Sequence, residues 1–306
     1  MKVLILTEKP FAQEAVKSIR QIIETAGMEP VVLEKYTEKS QMLEAVNNVE
    51  AIIIRSDIVD AEVLDAAKQL KIVVRAGAGY DNVDLDAATA HQVVVMNTPG
   101  QNSNAVAELA LGLMVYAARN LYDGSSGTEL LGKKLGIHAY GNVGRNVARI
   151  AKGFGMEVFT YDPYCPAEVM EKDGIQVLNS VEELYATCQY VSVNIPATGE
   201  TKNSINFALL EKMPKKATLI NTARKEVIDE AGLMQWMEAR PDVKYLTDIL
   251  PKSHPELSEK FPKRYFSTPQ KMGAQTAEAN NNAGIAAANQ IVDFLLNGNT
   301  KFQVNK

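Results

Sequence analysis

The sequence predicts an α/β fold built from two doubly wound parallel sheets. Short apolar segments rich in β-branched residues alternate with helical patterns, as they do in parallel sheets whose strands are joined by crossover helices. The 306 residues are 46% hydrophobic, a length and composition that suit two domains better than one. A long apolar helical pattern at Asn104–Arg119 separates the strands into two series.

The first series predicts a flavodoxin-like domain. Its strands are expected at Val3–Leu6, Val31–Leu33, Ala51–Ile54, Ile72–Val74 and Val93–Met96. The segment Thr276–Leu296 has the pattern of one long helix that returns to this domain. We therefore predict a discontinuous domain formed by residues 1–97 and 277–306.

The second series predicts a Rossmann domain over residues 98–276. Its strands are expected at Leu135–Ala139, Val158–Tyr161, Val191–Asn194, Thr218–Asn221 and Tyr245–Asp248. No low-complexity segment or short repeat interrupts either series.

The segment from Leu135 to Asp162 indicates a dinucleotide site. A strand leads into the turn Gly141-Asn142-Val143-Gly144, a helical pattern follows, and Asp162 ends the next strand. Such a turn presents backbone N–H groups to a pyrophosphate, and the carboxylate accepts ribose hydroxyls, which favours NAD over NADP. Ala139 replaces the first glycine of the usual pattern, so we expect a turn conformation that tolerates a Cβ. An ordinary strand-to-helix turn is the alternative interpretation.

Composition argues against several other classes of function. The formal charge of −5 offers no basic surface for nucleic acid, and we expect no nucleic-acid partner. No apolar stretch reaches membrane-spanning length and the first residues do not resemble a signal segment, so we expect no membrane partner and a cytoplasmic location. Two cysteines and three scattered histidines have no metal-ligand spacing, and no metal is expected.

Four groups of residues resemble the D-isomer-specific 2-hydroxyacid dehydrogenase family almost end to end. They are Arg75–Asp84; Asn97–Pro99 with Asn102-Ser103 and Val106–Glu108; Asn221–Arg224 with Val227–Asp229; and Asp248. The resemblance implies a substrate-binding first domain, an NAD-binding second domain and hydride transfer to or from a small 2-hydroxy acid. It also implies pairing into a homodimer, with Ala105–Ala118 as a contact.

Within the family, the chain most resembles the branch that oxidises D-3-phosphoglycerate to 3-phosphohydroxypyruvate, the first step of serine biosynthesis. The resemblance is to short members without an appended regulatory domain. It implies substrate contacts from Arg55, Ser56, Arg75, Ala76 and Gly77, with Arg55 supplying a donor for the phosphate. The alternative is another enzyme of the family that acts on glyoxylate, hydroxypyruvate or pyruvate. These substrates carry no phosphate, so such an enzyme would not need Arg55.

The expected catalytic machinery is only partly present. By resemblance, Arg224 anchors the substrate carboxylate and polarises the reacting carbonyl. The family's histidine is absent after Thr268-Pro269, and Ser253 stands where its partner glutamate is usual. We expect Lys271 to act as the acid/base, with its pKa lowered by burial and by Arg224.

Other interpretations of the acid/base remain. Gln270 in the histidine position would imply a binding protein of the NAD-sensing corepressor type, and His254 is the one histidine that could reach the site. The cofactor residues implied by the motif and the resemblance are Ala78, Gly141, Asn142, Val143, Gly144, Asp162, Ile195, Pro196, Thr222, Ala223, Arg224, Asp248, Gly273 and Ala274.

Overall fold

The computed structural model describes residues 1–305, which form two compact units. The first unit contains Met1–Asn102 and the segment from Thr276 onward, and the second contains Ser103–Gln275. The chain therefore leaves the first unit once and returns to it through its last helix.

Both units are built from parallel strands. Their bounds are β1 Lys2–Thr7, β2 Glu29–Glu34, β3 Ala51–Ile54, β4 Ile72–Arg75, β5 Val94–Asn97, β6 Lys134–His138, β7 Glu157–Tyr161, β8 Gln176–Val177, β9 Tyr190–Val193, β10 Thr218–Asn221, β11 Lys244–Thr247 and β12 Tyr265–Ser267. The predicted strands are confirmed to within one or two residues at each end, the usual uncertainty of element ends. β8 and β12 were not predicted, because two or three residues are too short to show a pattern.

The helices alternate with these strands. Their bounds are α1 Gln13–Thr25, α2 Lys39–Val46, α3 Ala61–Ala66, α4 Leu85–Ala90, α5 Ser103–Ala118, α6 Asn142–Gly153, α7 Ala167–Lys172, α8 Val181–Thr187, α9 Phe207–Leu210, α10 Glu230–Ala239, α11 His254–Lys260 and α12 Ala277–Asn297. Short 3-10 turns occupy Asn120–Tyr122 and Lys225–Val227.

The first unit has the strand order β2-β1-β3-β4-β5, with every pairing parallel. This is the doubly wound flavodoxin-like order. The direction in which successive strands are added to the sheet reverses between β1 and β3. The carboxyl ends of β1, β3 and β4 consequently meet at one edge of the sheet.

The returning helix α12 completes the core of the first unit. It packs against α1, β3 and β4, and buries small residues such as Ala283 and Ala287. Gly284 allows the close approach to α1, since a Cβ there would lie 2.7 Å from Ile19 Cδ1. Thr276 caps its N-terminus by accepting a hydrogen bond from Ala279 N at 3.1 Å.

The second unit has the order β12-β11-β10-β9-β6-β7-β8, again all parallel. Helix α5 is apolar on most sides because it packs into the core beside β10, β11 and α6. Trp236 is fully buried in this unit. Among residues 1–305, the search for a helix long and apolar enough to cross a membrane finds none.

Candidate active site

The glycine turn between β6 and α6 has the geometry of an anion-binding loop. Gly141 is the N-cap of α6, and no side chain caps this helix end among the described residues. A Cβ at Gly141 would meet open space, whereas one at Gly144 would overlap the carbonyl oxygen of Ala139. Gly144 thus permits close strand–helix packing, and the uncapped N–H groups beside Gly141 remain available for a phosphate.

The expectation for Ala139 was wrong. Its φ is +80°, in the left-handed region that favours glycine, although its backbone N donates normally to Tyr161 O at 3.0 Å. The backbone at Ala139 therefore follows the path that the glycine motif normally takes, although alanine carries a Cβ. The alanine is therefore strained, by about 1 kcal/mol.

Asp162 lies at the carboxyl end of β7, as the dinucleotide motif requires. Its Oδ2 accepts from Tyr140 N at 2.7 Å, and its Oδ1 accepts from Tyr164 N at 2.8 Å. These bonds fix the carboxylate beside the glycine turn and leave each oxygen a second lone pair for a ribose hydroxyl. Together, the uncapped helix and the fixed carboxylate fit a dinucleotide.

The predicted carboxylate anchor, Arg224, lies on a loop that Asn221 holds in place. The Asn221 amide donates to Arg224 O at 3.0 Å and accepts from Ala223 N at 3.0 Å. The half-buried guanidinium donates to Ala223 O at 2.9 Å, its one hydrogen bond within the described part of the chain. Thr222 Oγ1 is buried there and has no hydrogen-bond partner among residues 1–305, as expected for a group that a ligand satisfies.

Asp248 organises the neighbouring loop of residues 268–275. The residue is 1% exposed. Its Oδ1 accepts from Thr268 Oγ1 and Met272 N, both at 2.8 Å, and its Oδ2 accepts from Gly273 N at 2.8 Å. The Asp248 carboxylate is therefore engaged by the loop that carries Lys271.

The structure does not bury Lys271. The residue is exposed, as are Pro269 and Gln270. The expectation that Lys271 is buried was thus wrong.

A carboxylate that the sequence interpretation missed lies at the site of the absent glutamate. Glu230, the first residue of α10, accepts from Lys252 N at 3.0 Å and from Ser253 N at 2.7 Å. The Glu230 carboxylate therefore braces the segment that follows Asp248. His254 Nδ1 is within hydrogen-bond distance of Tyr265 Oη, at 2.9 Å, and its ring packs on that tyrosine. His254 therefore has a structural role in this conformation.

The predicted substrate residues of the first unit lie at the carboxyl ends of β3 and β4. Arg75 Nε donates to Arg55 O at 3.1 Å, and the Arg75 guanidinium folds across Gly77, where a Cβ would overlap it. Ala76 and Gly77 are buried, whereas Ser56 is exposed. Ala78 is exposed, and its carbonyl oxygen accepts a hydrogen bond from Asn97 Nδ2 at 2.6 Å. Asn97 ends β5, the last strand before the second unit begins. Its predicted cofactor contact remains a prediction.

Arg55 is engaged more fully than expected. Its guanidinium donates to Lys9 O at 2.9 Å, Pro10 O at 3.0 Å and Asn280 Oδ1 at 2.6 Å, and it lies 5.2 Å from the centre of the Phe11 ring. Arg55 therefore fastens the loop after β1 to the start of α12.

The buried carboxylate of Asp57, which the sequence interpretation also missed, supports the same edge. Asp57 accepts from Glu8 N at 2.7 Å, Tyr36 Oη at 2.8 Å and Arg55 N at 3.1 Å. Burial and this carboxylate raise the pKa of Tyr36 well above its ordinary value, so its hydroxyl stays protonated and donates. A lone aspartate after a strand carries no sequence signal for these long-range contacts.

Comparison with known proteins identifies the family. Residues 3–305 match the model of the catalytic domain of D-isomer specific 2-hydroxyacid dehydrogenases. The chain belongs to this family. The crystal structure of cofactor (NAD+) bound 3-phosphoglycerate dehydrogenase in Entamoeba histolytica is 47% identical, with a TM-score of 0.89, covering 100% of this chain and 99% of that one.

The curated proteins similar to this chain include a D-3-phosphoglycerate dehydrogenase and a hydroxypyruvate reductase. D-3-phosphoglycerate dehydrogenase of Methanocaldococcus jannaschii is 33% identical over 96% of this chain, which spans 57% of that protein. Hydroxypyruvate reductase of Thermotoga maritima is 33% identical over 85% of this chain and 89% of its own length. The chain thus spans little more than half the length of the D-3-phosphoglycerate dehydrogenases it matches among curated proteins.

Proposed function

We propose that this chain is an NAD-dependent dehydrogenase that oxidises D-3-phosphoglycerate to 3-phosphohydroxypyruvate, the first step of serine biosynthesis. The observation that carries the proposal is the similarity, at 47% identity over nearly the whole of both chains, to an NAD+-bound 3-phosphoglycerate dehydrogenase. The uncapped turn at Gly141 and the fixed carboxylate of Asp162 support NAD as the cofactor. The first unit binds substrate and the second binds NAD.

When bound, NAD would supply the hydride acceptor for oxidation at C2 of the substrate. Arg224 holds the carboxylate beside that carbon, for which its guanidinium retains donors beyond the one bonded to Ala223 O. From the first unit, the Arg75 side chain is proposed to bind the substrate. The expected donation by the Ala76 and Gly77 amides is not available in this structure, because Ala76 N already donates to Ile54 O at 2.8 Å and Gly77 N to Arg75 O at 2.9 Å. We propose that Thr222 Oγ1 contacts the bound cofactor, because such a contact would supply the hydrogen bond that its buried hydroxyl lacks.

Lys271 is the proposed acid/base. Its neutral amine takes the hydroxyl proton during oxidation, and its ammonium returns a proton to the developing alkoxide during reduction. Lys271 is exposed, so we propose that bound substrate and cofactor exclude water around its side chain during the reaction.

Reduction of hydroxypyruvate or glyoxylate is the second candidate function. Two observations favour it: the similarity to a hydroxypyruvate reductase, and the engagement of the Arg55 guanidinium by two carbonyls and the Asn280 amide. Such substrates have no phosphate and need no free cation at Arg55.

The test is NADH oxidation with 3-phosphohydroxypyruvate, hydroxypyruvate, glyoxylate and pyruvate, using wild type, Lys271→Ala and the control Gln270→Ala. The proposal expects a preference for the phosphorylated substrate. It also expects a kcat loss of roughly 100-fold or more in Lys271→Ala, with Gln270→Ala unchanged. A preference for hydroxypyruvate would support the second candidate. NADH binding without any turnover would indicate a cofactor-sensing protein instead, and full activity in Lys271→Ala would remove the lysine from the mechanism.

We further propose that the chain forms a homodimer through α5. Gly112 is exposed on this helix, and a Cβ there would meet open space within the chain. An exposed helical glycine costs about 1 kcal/mol relative to alanine, a cost that close packing of a partner helix would offset. Gly112→Ala should therefore weaken association in sedimentation experiments. If it only stabilises the chain, α5 is not the contact.

The cellular location follows from the proposed reaction. Its substrates are small metabolites, and both cysteines, Cys165 and Cys188, are free, which suits a reducing compartment. We therefore propose a cytoplasmic location.

A further inference from the structure

The loop that presents Lys271 is fastened by one buried carboxylate. Residues 268–274 contain no helix or strand, and Pro269 lacks a backbone donor. The Asp248 side chain accepts hydrogen bonds from Thr268 Oγ1 before Lys271, and from Met272 N and Gly273 N directly after it. The three bonds therefore bracket Lys271 on both sides.

The surroundings of Asp248 are shaped for this arrangement. A Cβ at Gly273 would lie 3.0 Å from Asp248 Oδ2 and 3.2 Å from Val106 Cγ2, so a side chain there would push the loop away from the carboxylate. Asp248 is 1% exposed, and its buried charge is compensated by these three donors.

The same residue connects the loop to the segment that carries Arg224. Asp248 N donates to Asn221 O at 2.9 Å, and the Asn221 side chain holds the backbone of Ala223 and Arg224. The Asn221–Asp248 pair thus braces both loops from adjacent strands, β10 and β11. Displacing one loop would alter the support of the other.

We propose that Asp248 is a positioning residue that fixes Lys271 relative to Arg224, through the carboxylate bonds to Met272 N and Gly273 N. The proposal rests on the proposed function, in which Lys271 is the acid/base. It differs from the expectation that Asp248 chiefly binds the cofactor, because its two oxygens already accept three hydrogen bonds from the protein.

The test compares Asp248→Asn with wild type in two measurements. An asparagine amide replaces one acceptor oxygen with a donor that faces a backbone N–H, so at least one bond of the bracket is lost. We expect exchange at the Met272 and Gly273 amides to accelerate about tenfold or more. We expect kcat to fall on the order of 100-fold, the cost of misplacing a reacting group by about 1 Å, while the Kd for NADH changes less than about threefold.

Two further variants keep the test decisive. Thr268→Val removes one of the three bonds and should lower kcat by less than Asp248→Asn does. This variant provides the test if Asp248→Asn does not fold. Ser267→Ala is the matched control, since its hydroxyl bonds to Thr268 O and not to Asp248. It should leave both measurements unchanged.

The outcomes separate the alternatives. A weakened Kd for NADH that matches the loss of kcat/KM, with unchanged amide exchange, would overturn the proposal and make Asp248 a cofactor ligand. If Lys271→Ala retains activity while Asp248→Asn still accelerates exchange at Met272 and Gly273, the loop attachment stands and the proposed acid/base fails. Unchanged kcat despite faster exchange would show that loop position does not limit the reaction.

Discussion

Ala139→Gly should stabilise the second unit. Ala139 has φ +80°, and an L-residue with a Cβ in the left-handed region costs about 1–2 kcal/mol more than glycine. Glycine gains conformational entropy in the unfolded chain, which offsets about 0.4–1 kcal/mol of that relief. The net expectation is a gain of about 1 kcal/mol in the free energy of unfolding, or roughly 2–4 °C in the melting temperature of a domain this size.

The single tryptophan makes the measurement specific to the second unit. Trp236 is fully buried in the core of that unit, so its fluorescence reports the unfolding of the unit that contains Ala139. The control is Ala148→Gly in the interior of α6, where glycine should lower the free energy of unfolding by about 1 kcal/mol or more. Equal destabilisation by both variants would refute the assignment of strain to Ala139.

Three further predictions concern Gly144, Gly77 and His138. Gly144→Ala should destabilise the second unit by about 1–3 kcal/mol in urea unfolding and weaken NADH binding in titrations, because its Cβ overlaps the Ala139 carbonyl. Unchanged stability would contradict this packing. Gly77→Ala should raise the substrate KM without changing the Kd for NADH, because it displaces the Arg75 guanidinium, and an equal change in both constants would contradict that separation. Burial lowers the pKa of His138 to about 4 from 6.5, so the folded state excludes a proton that the unfolded chain binds. The contribution of His138 to the free energy of unfolding should be constant above pH 6.5 and fall by up to about 3 kcal/mol between pH 6.5 and 4. The measurement is the free energy of unfolding at several pH values, and the decline should be absent from His138→Leu.

Most of the fold was predictable because its signals are local. The strand Ala51–Ile54, for example, is buried on both faces and appears as a continuous apolar run. The return of the chain to the first unit was proposed from the long helical pattern of Thr276–Leu296. Short edge strands such as β8 were not, because two residues carry no periodicity.

The site was less predictable because its supports are not local. Asp57 and Glu230 accept hydrogen bonds from backbone groups far away in the sequence, as in the bond from Glu8 N to Asp57. No spacing rule reveals such partners. The conformation of Ala139 was missed for a different reason: the packing of α6 on β6 imposes a backbone path that the residue itself disfavours.

The discontinuity of the first unit has a consequence during synthesis on the ribosome. Strands β1 to β5 emerge first, but the surface that α12 covers on α1 and β3 stays exposed until the last helix is made. About 170 residues intervene, a delay of roughly 9–35 s at ordinary translation rates, during which the second unit can complete its own fold. The nascent first unit is therefore the species that would engage chaperones.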